Sequence, residues 1–336
     1  MKKLKTIDLF AGIGGIRKGF EKTGRFETVY ANDFEPSCKL TYDLNFGGTK
    51  LHIEDINKVD INKLPSYDFL LGGFPCQAFS IAGYRKGFKD EKGRGNLFFK
   101  VAEIIEKTQP MGFFLENVKN LESHDSGNTF RIILETLKNL GYYFDTRVLN
   151  SMNYGNIPQN RERIYIVGFR SKKHLDNFRF PEPIKLDVNF RDLLEDEVNQ
   201  KYYYENKPLF EKIKDYAFTY DTVYQWRRQY VRANKKGVCP TLTANMGTGG
   251  HNVPLIRDFR GIRKLTPLEC ARMQGFKDIK LPVNLTDSKL YKQMGNSVTV
   301  SVIERIAQNI INAIDGKNLP LLNLNLNFQN VIPNNS

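Results

Sequence analysis

A cysteine that could act as a nucleophile follows a predicted strand. The segment Gly72-Gly73-Phe74-Pro75-Cys76 comes directly after the apolar run Tyr67–Leu71, and open α/β sheets bind their ligands beyond the carboxyl ends of strands. A thiolate in that position can attack an electron-poor carbon. A simpler interpretation, a small buried hydrophobe, applies to the other three cysteines, Cys38, Cys239 and Cys270. We therefore predict that Cys76 is catalytic.

An acid and two arginines occupy similar positions beside strands. Glu116 follows the apolar strand Met111–Leu115, where it is either a helix N-cap partner or a proton donor whose pKa burial would raise. Arg161 and Arg163 precede the strand Ile164–Phe169, and the two-residue strand period points them to the same side. Two guanidiniums near a Cys and a Glu favour a site for an anion or a carbonyl oxygen over a surface ladder of ion pairs.

A glycine-rich turn after the first strand indicates a cofactor. Gly12-Ile13-Gly14-Gly15 lets a nucleotide-like molecule approach the backbone. The third glycine of a dinucleotide fingerprint would be residue 17, which is Arg17, so a cofactor without phosphates is expected. Asp33 and Phe34 offer a carboxylate for ribose and an aromatic face for a purine, and Asp55, before Ile56, could accept from the adenine amino group. The spacing predicts an adenosyl group; a purely structural glycine turn is the alternative.

Six motifs in order resemble those of the DNA (cytosine-5)-methyltransferases of the bacterial restriction-modification type. They are DLFAGIGG (residues 8–15), GFPCQ (73–77), ENV (116–118), QNRER (159–163), RKLTPLECAR (263–272) and GNSV (295–298). One such motif is weak evidence, but six in the family's order are highly specific. The resemblance implies S-adenosylmethionine as methyl donor, a doubly wound catalytic domain, and a smaller target-recognition domain inserted before the last helix.

The same resemblance implies a covalent mechanism. Cys76 would attack C6 of the target cytosine while Glu116 delivers or shares a proton at N3, and C5 would then take the methyl group. Arg163 would hold the cytosine O2, and Arg161 would orient the loop and backbone. The base must be flipped out of the duplex to be reached. For the cofactor, the resemblance carries over to Phe10, Gly12, Asp33, Phe34, Asp55, Ile56, Pro75, Leu97, Asn296 and Val298.

A basic segment indicates a polyanionic partner. Residues 225–277 contain eleven Lys or Arg against two acids, a net +9 of the chain's +13. The Thr241-Leu242 pair found in the family's recognition domains, together with Asn245, suits base-edge contacts in a groove. A P-loop is the rival interpretation of the following glycines, but no Lys-Ser or Lys-Thr follows them. Phosphate contacts are expected from Arg227, Arg228, Arg232 and Lys235.

The elements that must position these residues alternate up to about residue 170. The six strand-like runs are Leu4–Phe10, Thr28–Ala31, Tyr67–Leu71, Met111–Leu115, Phe144–Leu149 and Ile164–Phe169. Amphipathic helices such as Leu97–Glu106 and Thr129–Leu140 lie between them. This alternation predicts an α/β fold with a doubly wound, mostly parallel, Rossmann-like sheet.

The regular pattern ends near Phe180 and returns in an apolar helical period over Val298–Ile314. We therefore predict a catalytic and cofactor-binding domain over 1–178, completed by a returning helix at 290–318. A target-recognition domain of irregular structure would span 179–289, and 319–336 would form a tail.

Length and composition agree with this organisation. The chain has 336 residues, 40% hydrophobic and 26% charged, which indicates a soluble protein of two domains. No run reaches the ~18 apolar residues of a membrane span, so we expect a cytoplasmic protein without a membrane partner. The cysteines lie too far apart in sequence for metal-ligand spacing. One chain carries all motifs, so a monomer is expected, acting on double-stranded DNA alongside a restriction endonuclease of the same specificity.

Two other functions share some of these features. The RNA cytosine methyltransferases use related carbon chemistry, but the usual RNA family adds a second Pro-Cys motif, whereas only Cys76 follows a proline here; the tRNA-methylating branch of the DNA family remains an alternative. A catalytically inactive DNA-binding subunit is the other, against which the intact Cys76, Glu116 and arginines argue. The DNA sequence recognised does not follow from these residues.

Overall fold

Apolar, largely buried strands form a seven-stranded sheet in the first half of the chain. The computed structural model describes residues 2–75, 97–216, 218–234, 237–247 and 253–317. The sheet strands are β1 (Leu4–Leu9), β2 (Phe26–Asp33), β3 (Leu51–Ile53), β4 (Phe69–Gly72), β5 (Gly112–Val118), β6 (Tyr143–Asn150) and, after the two-residue β7 (Gln159–Asn160), β8 (Glu162–Phe169). Their spatial order is β3-β2-β1-β4-β5-β8-β6. The predicted α/β fold with a doubly wound, mostly parallel sheet is confirmed.

Helices cover both faces of this sheet because its strands are apolar on both sides. The helices of the first half are α1 (Gly15–Glu21), α2 (Pro36–Asn45), α3 (Leu97–Thr108), α4 (Asn128–Asn139), α5 (Ser151–Tyr154) and α6 (Lys172–Asn177). Leu70 of β4 packs with α3 and α4 on one face, and its neighbours Phe69 and Leu71 belong to the core on the other face, beside α1. The strand alternation thus fills two cores.

Strand β8 is the exception to the parallel arrangement. It pairs antiparallel with both β5 and β6, whereas β1, β2, β3, β4 and β5 pair in parallel. Only residues 151–161 connect β6 to β8, and such a short connection reverses the chain, since a parallel pair needs a crossover.

The segment predicted to be irregular contains a second sheet, so that part of the prediction is wrong. Its antiparallel order is β10-β9-β12-β13, formed by β9 (Val223–Trp226), β10 (Val231–Asn234), β12 (Leu255–Asp258) and β13 (Gly261–Lys264). The short helix α7 (Phe210–Ile213) packs with it through Ile213. A separate pair, β11 (Cys239–Pro240) with β7, joins this region to the large sheet.

Three helices complete the described chain: α8 (Pro267–Arg272), α9 (Asp287–Asn296) and α10 (Val300–Ile314). The helix expected over Val298–Ile314 therefore begins at Val300. It packs against α1 so closely that a Cβ on Gly19 would lie 2.6 Å from Ile303. The domain boundary predicted at residue 290 falls inside α9. Within the described ranges, no helix is long and apolar enough to cross a membrane.

Candidate active site

The carboxyl ends of adjacent parallel strands bring the predicted chemical groups to one edge of the sheet. The glycine turn follows β1, Asp33 ends β2, and Pro75 lies three residues beyond β4, while Glu116 lies near the end of β5. Because the spatial order is β2-β1-β4-β5, the cofactor residues and the acid lie on either side of the segment after β4. That segment leads to Cys76, which itself lies outside the described residues.

Glu116 is paired with an arginine across the β5–β8 ladder. Its Oε1 lies 3.0 Å from Nε of Arg163, and both side chains are largely buried. Burial raises the pKa of Glu116 above its ordinary value, and the charges of Arg163 and Arg161 partly oppose that shift. The carboxyl group is thus placed to hold a proton and still be oriented by a cation.

The residues around Glu116 also fix the start of the segment that leads to Cys76. A Cβ on Gly73 would lie 3.4 Å from Glu116 Oε2, so this residue borders the carboxyl group. The buried Asn117 donates from Nδ2 to the carbonyl of Phe74 at 2.9 Å. Sequence reasoning gave Asn117 no role; its place directly after the candidate acid was the available signal.

Arg161 does not pair with Glu116 but with main-chain carbonyls. Arg161 is 2% exposed, and its guanidinium donates to the carbonyls of Leu242 at 2.8 Å and Gly295 at 3.2 Å, and to that of Ser297. Leu242 belongs to the segment predicted to contact base edges, Gly295 to the end of α9, and Ser297 directly follows that helix. Arg163 and Arg161 therefore have different surroundings, one at the candidate acid and the other at a junction of three chain segments.

The glycine turn after β1 is closed by the carboxylate that ends β2. Gly12 donates its N–H to Asp33 Oδ2 at 2.7 Å, and Glu35 donates its own to Oδ1 at 2.8 Å. Gly12 has a φ of 55°, and a Cβ there would have no atom within 4 Å. The next aromatic residue, Phe34, is 73% exposed. The turn therefore leaves open space beside the backbone of Gly12, next to the exposed ring of Phe34.

A buried carboxyl group lies at the end of β1. Asp8 is 0% exposed, and neither of its oxygens has a hydrogen-bond partner among the residues that the structure describes. Burial raises its pKa to about 8, although the charge of the nearby Arg17 opposes this. Sequence reasoning noticed Asp8 only as part of a motif.

Arg17 explains why the turn is not a dinucleotide fingerprint. Its buried side chain donates to Tyr42 Oη at 3.0 Å and to the carbonyl of Thr49 at 3.1 Å. In a dinucleotide fingerprint a third glycine stands at this position and allows a helix to pack closely. Here Arg17 stands there instead and makes structural hydrogen bonds.

The remaining predicted cofactor residues surround the same edge. Asp55 accepts the N–H of Asn57 at 3.0 Å, which caps a short 3-10 helix that begins at the buried Ile56. Phe10 and Leu97 are partly buried against the same core. Val298 is buried, whereas Pro75 and Asn296 are exposed.

A cleft of about 1000 Å³ lies beside the β9–β10 hairpin. Its lining includes four of the residues predicted to contact DNA, together with Met152 and Asn160 from the connection between β6 and β8. The four are Arg227, Arg232, Thr241 and Asn245. Arg228 is exposed in the turn between β9 and β10, and Lys235 lies outside the described residues.

Leu242 differs from its predicted role. Its side chain is fully buried in the core that contains Met246 and Met294, so it contacts the protein interior rather than a DNA groove. Thr241, its neighbour, donates from Oγ1 to the carbonyl of Asn160 at 2.6 Å. Leu242 therefore anchors the loop between the polar residues on either side of it.

Part of the basic excess is internal. Arg263 is buried and makes a two-pronged contact with Glu269 at 2.8 Å. Arg260 donates to the carbonyl of Val198 at 2.9 Å and Arg272 to that of Leu194 at the same distance. The buried Arg263 thus belongs to the interior, whereas Arg257, Arg260 and Lys277 remain exposed, as do Arg227, Arg228 and Arg232 of the β9–β10 hairpin.

Comparisons with known proteins agree with this geometry. The sequence profile of the family described as C-5 cytosine-specific DNA methylase matches residues 4–312. The type II methyltransferase M.Bsp6I of Bacillus sp. (strain RFL6) is 52% identical over 311 residues, covering 91% of this chain and 98% of that protein. M.HhaI of Haemophilus parahaemolyticus is 39% identical over 332 residues, covering 94% and 96%.

Solved structures give the same fold at much lower identity. The crystal structure of the Dnmt2 methyltransferase of S. pombe has a TM-score of 0.73 at 20% identity, covering 93% of this chain and all of that one. The DNMT2 mutant of Spodoptera frugiperda gives 0.72 at 20% identity, over 92% of this chain.

Proposed function

The chain belongs to the C-5 cytosine-specific DNA methylase family, and we propose that it methylates C5 of a cytosine flipped out of duplex DNA, through a covalent bond to Cys76. The observation that carries the proposal is the Arg163–Glu116 pair at 3.0 Å. This pair lies beside Gly73 and Asn117, which position the segment before Cys76. In this proposal the Cys76 nucleophile, the Glu116 acid and the Arg163 cation act together on the cytosine ring.

S-adenosylmethionine, the methyl donor of this reaction, fits the residues present. The open space at Gly12 accepts a ligand against the backbone, Asp33 keeps lone pairs for ribose hydroxyls beyond the two N–H groups it accepts, and the exposed Phe34 ring suits a purine. When bound, the cofactor supplies an electrophilic methyl group. Asp55, Ile56, Pro75, Leu97, Asn296 and Val298 would complete the pocket.

Cys76 activates the ring in this proposal. Cytosine C5 is a weak nucleophile until electrons are added to the ring, and attack of the thiolate on C6 does this as the C5–C6 double bond opens. Glu116 holds a proton at N3, which takes up the charge that develops there. C5 then accepts the methyl group. Water takes the C5 proton, the C6–S bond breaks to release the Cys76 thiolate, the double bond re-forms, and the N3 proton returns to Glu116.

Arg163 and Arg161 have separate tasks in this reaction. Arg163 orients the Glu116 carboxyl group through the contact at 3.0 Å and has further N–H groups for the cytosine O2. Arg161 holds three backbone carbonyls and so acts as a positioning residue.

The cleft beside the β9–β10 hairpin is proposed to bind double-stranded DNA. Arg227, Arg228, Arg232 and Lys235 would contact phosphates, while Thr241 and Asn245 would contact base edges. We propose 1–178 with 290–318 as the catalytic unit and 179–289 as the recognition unit, acting together as a monomer. The type II relatives support a restriction endonuclease of the same specificity as functional partner.

Bisulfite sequencing of plasmid from cells expressing the protein tests the activity and reveals the target. Methylation at one cytosine of a short recurring sequence is expected. A parallel assay with purified protein and labelled methyl donor compares duplex DNA with tRNA, the alternative substrate. The solved structures do not decide between the two, because at 20% identity they show only a shared fold. Transfer to tRNA alone, or to neither, contradicts the proposal.

A further inference from the structure

Both backbone polar groups of Leu242 are held by buried side chains from one short segment. The N–H of Leu242 donates to Gln159 Oε1 at 3.2 Å, and its carbonyl accepts from Arg161 at 2.8 Å. Gln159 is 0% exposed. Leu242 separates Thr241 from Thr243, so a residue in the middle of the proposed recognition loop is held at both its peptide groups.

Gln159 is itself fixed from the opposite side. Its Nε2 donates to the carbonyl of Met273 at 2.6 Å and to Gln274 Oε1 at 3.3 Å. The bonds of its amide are therefore made inside the protein, to the two residues that follow α8 on one side and to the loop on the other. A rotation of this amide would leave a buried donor or acceptor without a partner.

A close backbone contact restricts the same loop from a second direction. A Cβ on Gly295, in α9, would lie 2.1 Å from the carbonyl carbon of Thr243. The loop thus lies between the segment that contains Gln159 and the end of α9, where it has little freedom to shift.

The segment that holds the loop also carries the arginine that orients the acid. Gln159, Arg161 and Arg163 are alternate residues; the first two bind Leu242, and the third lies 3.0 Å from Glu116. Only one residue separates each contact from the next, so any displacement of the loop relative to this segment is also a displacement relative to the acid.

We infer that Gln159 is a specificity-positioning residue, which fixes the register of the Thr241–Asn245 loop relative to Glu116. This inference rests on the proposed function. With the loop held in one register, only a duplex whose base edges match it places its flipped cytosine beside Glu116. A near-cognate duplex leaves polar groups of the fixed loop unpaired and is therefore rejected. Once the loop can shift, these groups find partners and the near-cognate duplex is accepted.

Gln159→Met tests the inference because it keeps the length of the side chain and removes both kinds of hydrogen bond. Gln293→Met is the matched control, since Gln293 is also buried and hydrogen-bonded, but its bonds go to Ser37 at 2.9 Å and Thr41 at 2.8 Å of α2 rather than to the loop. For each variant, kcat and KM are measured on the sequence found by bisulfite sequencing and on single-mismatch duplexes, together with the thermal unfolding midpoint.

The expected result is that Gln159→Met reduces discrimination against mismatched duplexes roughly tenfold or more, the scale of one base-pair contact. Gln293→Met should lower the unfolding midpoint comparably while keeping discrimination within about twofold of wild type. Equal discrimination in wild type and Gln159→Met overturns the inference and leaves the amide a merely structural role. A wild type that methylates no DNA contradicts the proposed function instead.

Arg161→Lys keeps the test decisive if Gln159→Met does not fold. The lysine retains a positive charge but lacks the planar fork that reaches Leu242, Gly295 and Ser297 together. Discrimination should fall in this variant as well, with methyl transfer still measurable. Unchanged discrimination in Arg161→Lys contradicts the proposed control of loop register.

Discussion

Arg163 Nε lies 3.0 Å from Glu116 Oε1, across the antiparallel ladder in which Val118 is opposite Arg163. The pair exists because β8 reverses direction, which brings the start of β8 beside the end of β5. A parallel strand at this position would put its other end there. The reversal that breaks the parallel pattern is therefore what supplies the candidate acid with its cation.

Glu116→Gln should slow methyl transfer by roughly 10² to 10⁴, because an amide cannot supply a proton at N3. Burial raises the pKa of Glu116, so the protonated form persists further toward neutral pH than for an exposed acid. Single-turnover rates across pH check this, with a loss of the acid-dependent limb expected in the variant. Unchanged rates and an unchanged profile would assign the proton to another group.

Asp33→Ala should weaken S-adenosylmethionine binding by roughly 1.5–3 kcal/mol, since it removes a charge-assisted acceptor. It also releases the N–H of Gly12, so the turn loses its closing bond. Asp43→Ala is a suitable control because Asp43 likewise accepts a backbone N–H, from Leu51 at 2.9 Å, but lies within α2. Calorimetry that finds equal affinities in the two variants would refute the ribose assignment.

Charge and sequence contacts in the cleft should separate by salt dependence. Neutralising Arg227 or Arg228 should weaken binding on all duplexes and lower the log–log salt slope by about 0.9 per lost phosphate contact. Arg260→Gln, in which the lost guanidinium was bonded to Val198 and Gln200, should leave that slope in place. An unchanged salt slope in the Arg227 variant would show that Arg227 does not contact a phosphate.

Thr241 and Asn245 should control sequence rather than affinity. Replacing either with alanine should relax discrimination by roughly 1–3 kcal/mol while the salt slope stays constant. Titrations on cognate, near-cognate and random duplexes distinguish this from a phosphate contact. A uniform loss on every duplex would contradict the base-edge assignment.

Asp8 should make stability fall as pH rises. Burial raises its pKa to about 8, so the native chain keeps a proton that the unfolded chain releases near pH 4. Between about pH 5 and 7 this group should lower the free energy of unfolding by up to about 1.4 kcal/mol per pH unit. Asp8→Asn should remove that contribution, as measured by denaturant titration at several pH values. An identical pH dependence in wild type and variant would contradict it.

Sequence reasoning located the strongly apolar strands and the groups at their ends, because a run such as Met111–Leu115 is long enough to show its pattern. It missed β3, whose three residues are too few for a period, and the second sheet, whose strands have four residues each. The direction of β8 depends on the length of a connection rather than on the strand itself. Strand alternation also predicted that Arg161 and Arg163 lie on the same side. It did not predict their different partners, which depend on the packing of distant segments.

The burial of Leu242 shows another limit. The motif placed it in the recognition loop, yet a leucine beside polar residues is equally compatible with an exposed tip and with an anchor. Only the partners of its backbone, Gln159 and Arg161, distinguish the two. Eleven basic residues in one segment indicate a polyanionic partner. Composition alone cannot show that one of them, Arg263, is paired with acids inside the protein.

The covalent role of Cys76 is tested most directly with a duplex that carries 5-fluorocytosine at the target position. Fluorine cannot leave C5 as a proton does, so wild-type protein with S-adenosylmethionine should remain bonded to C6, and mass spectrometry should locate the adduct on the peptide that contains Cys76. Cys76→Ser should form no adduct and transfer no methyl group while still binding the cofactor. Full activity in Cys76→Ser, or an adduct on any other residue, would contradict the mechanism.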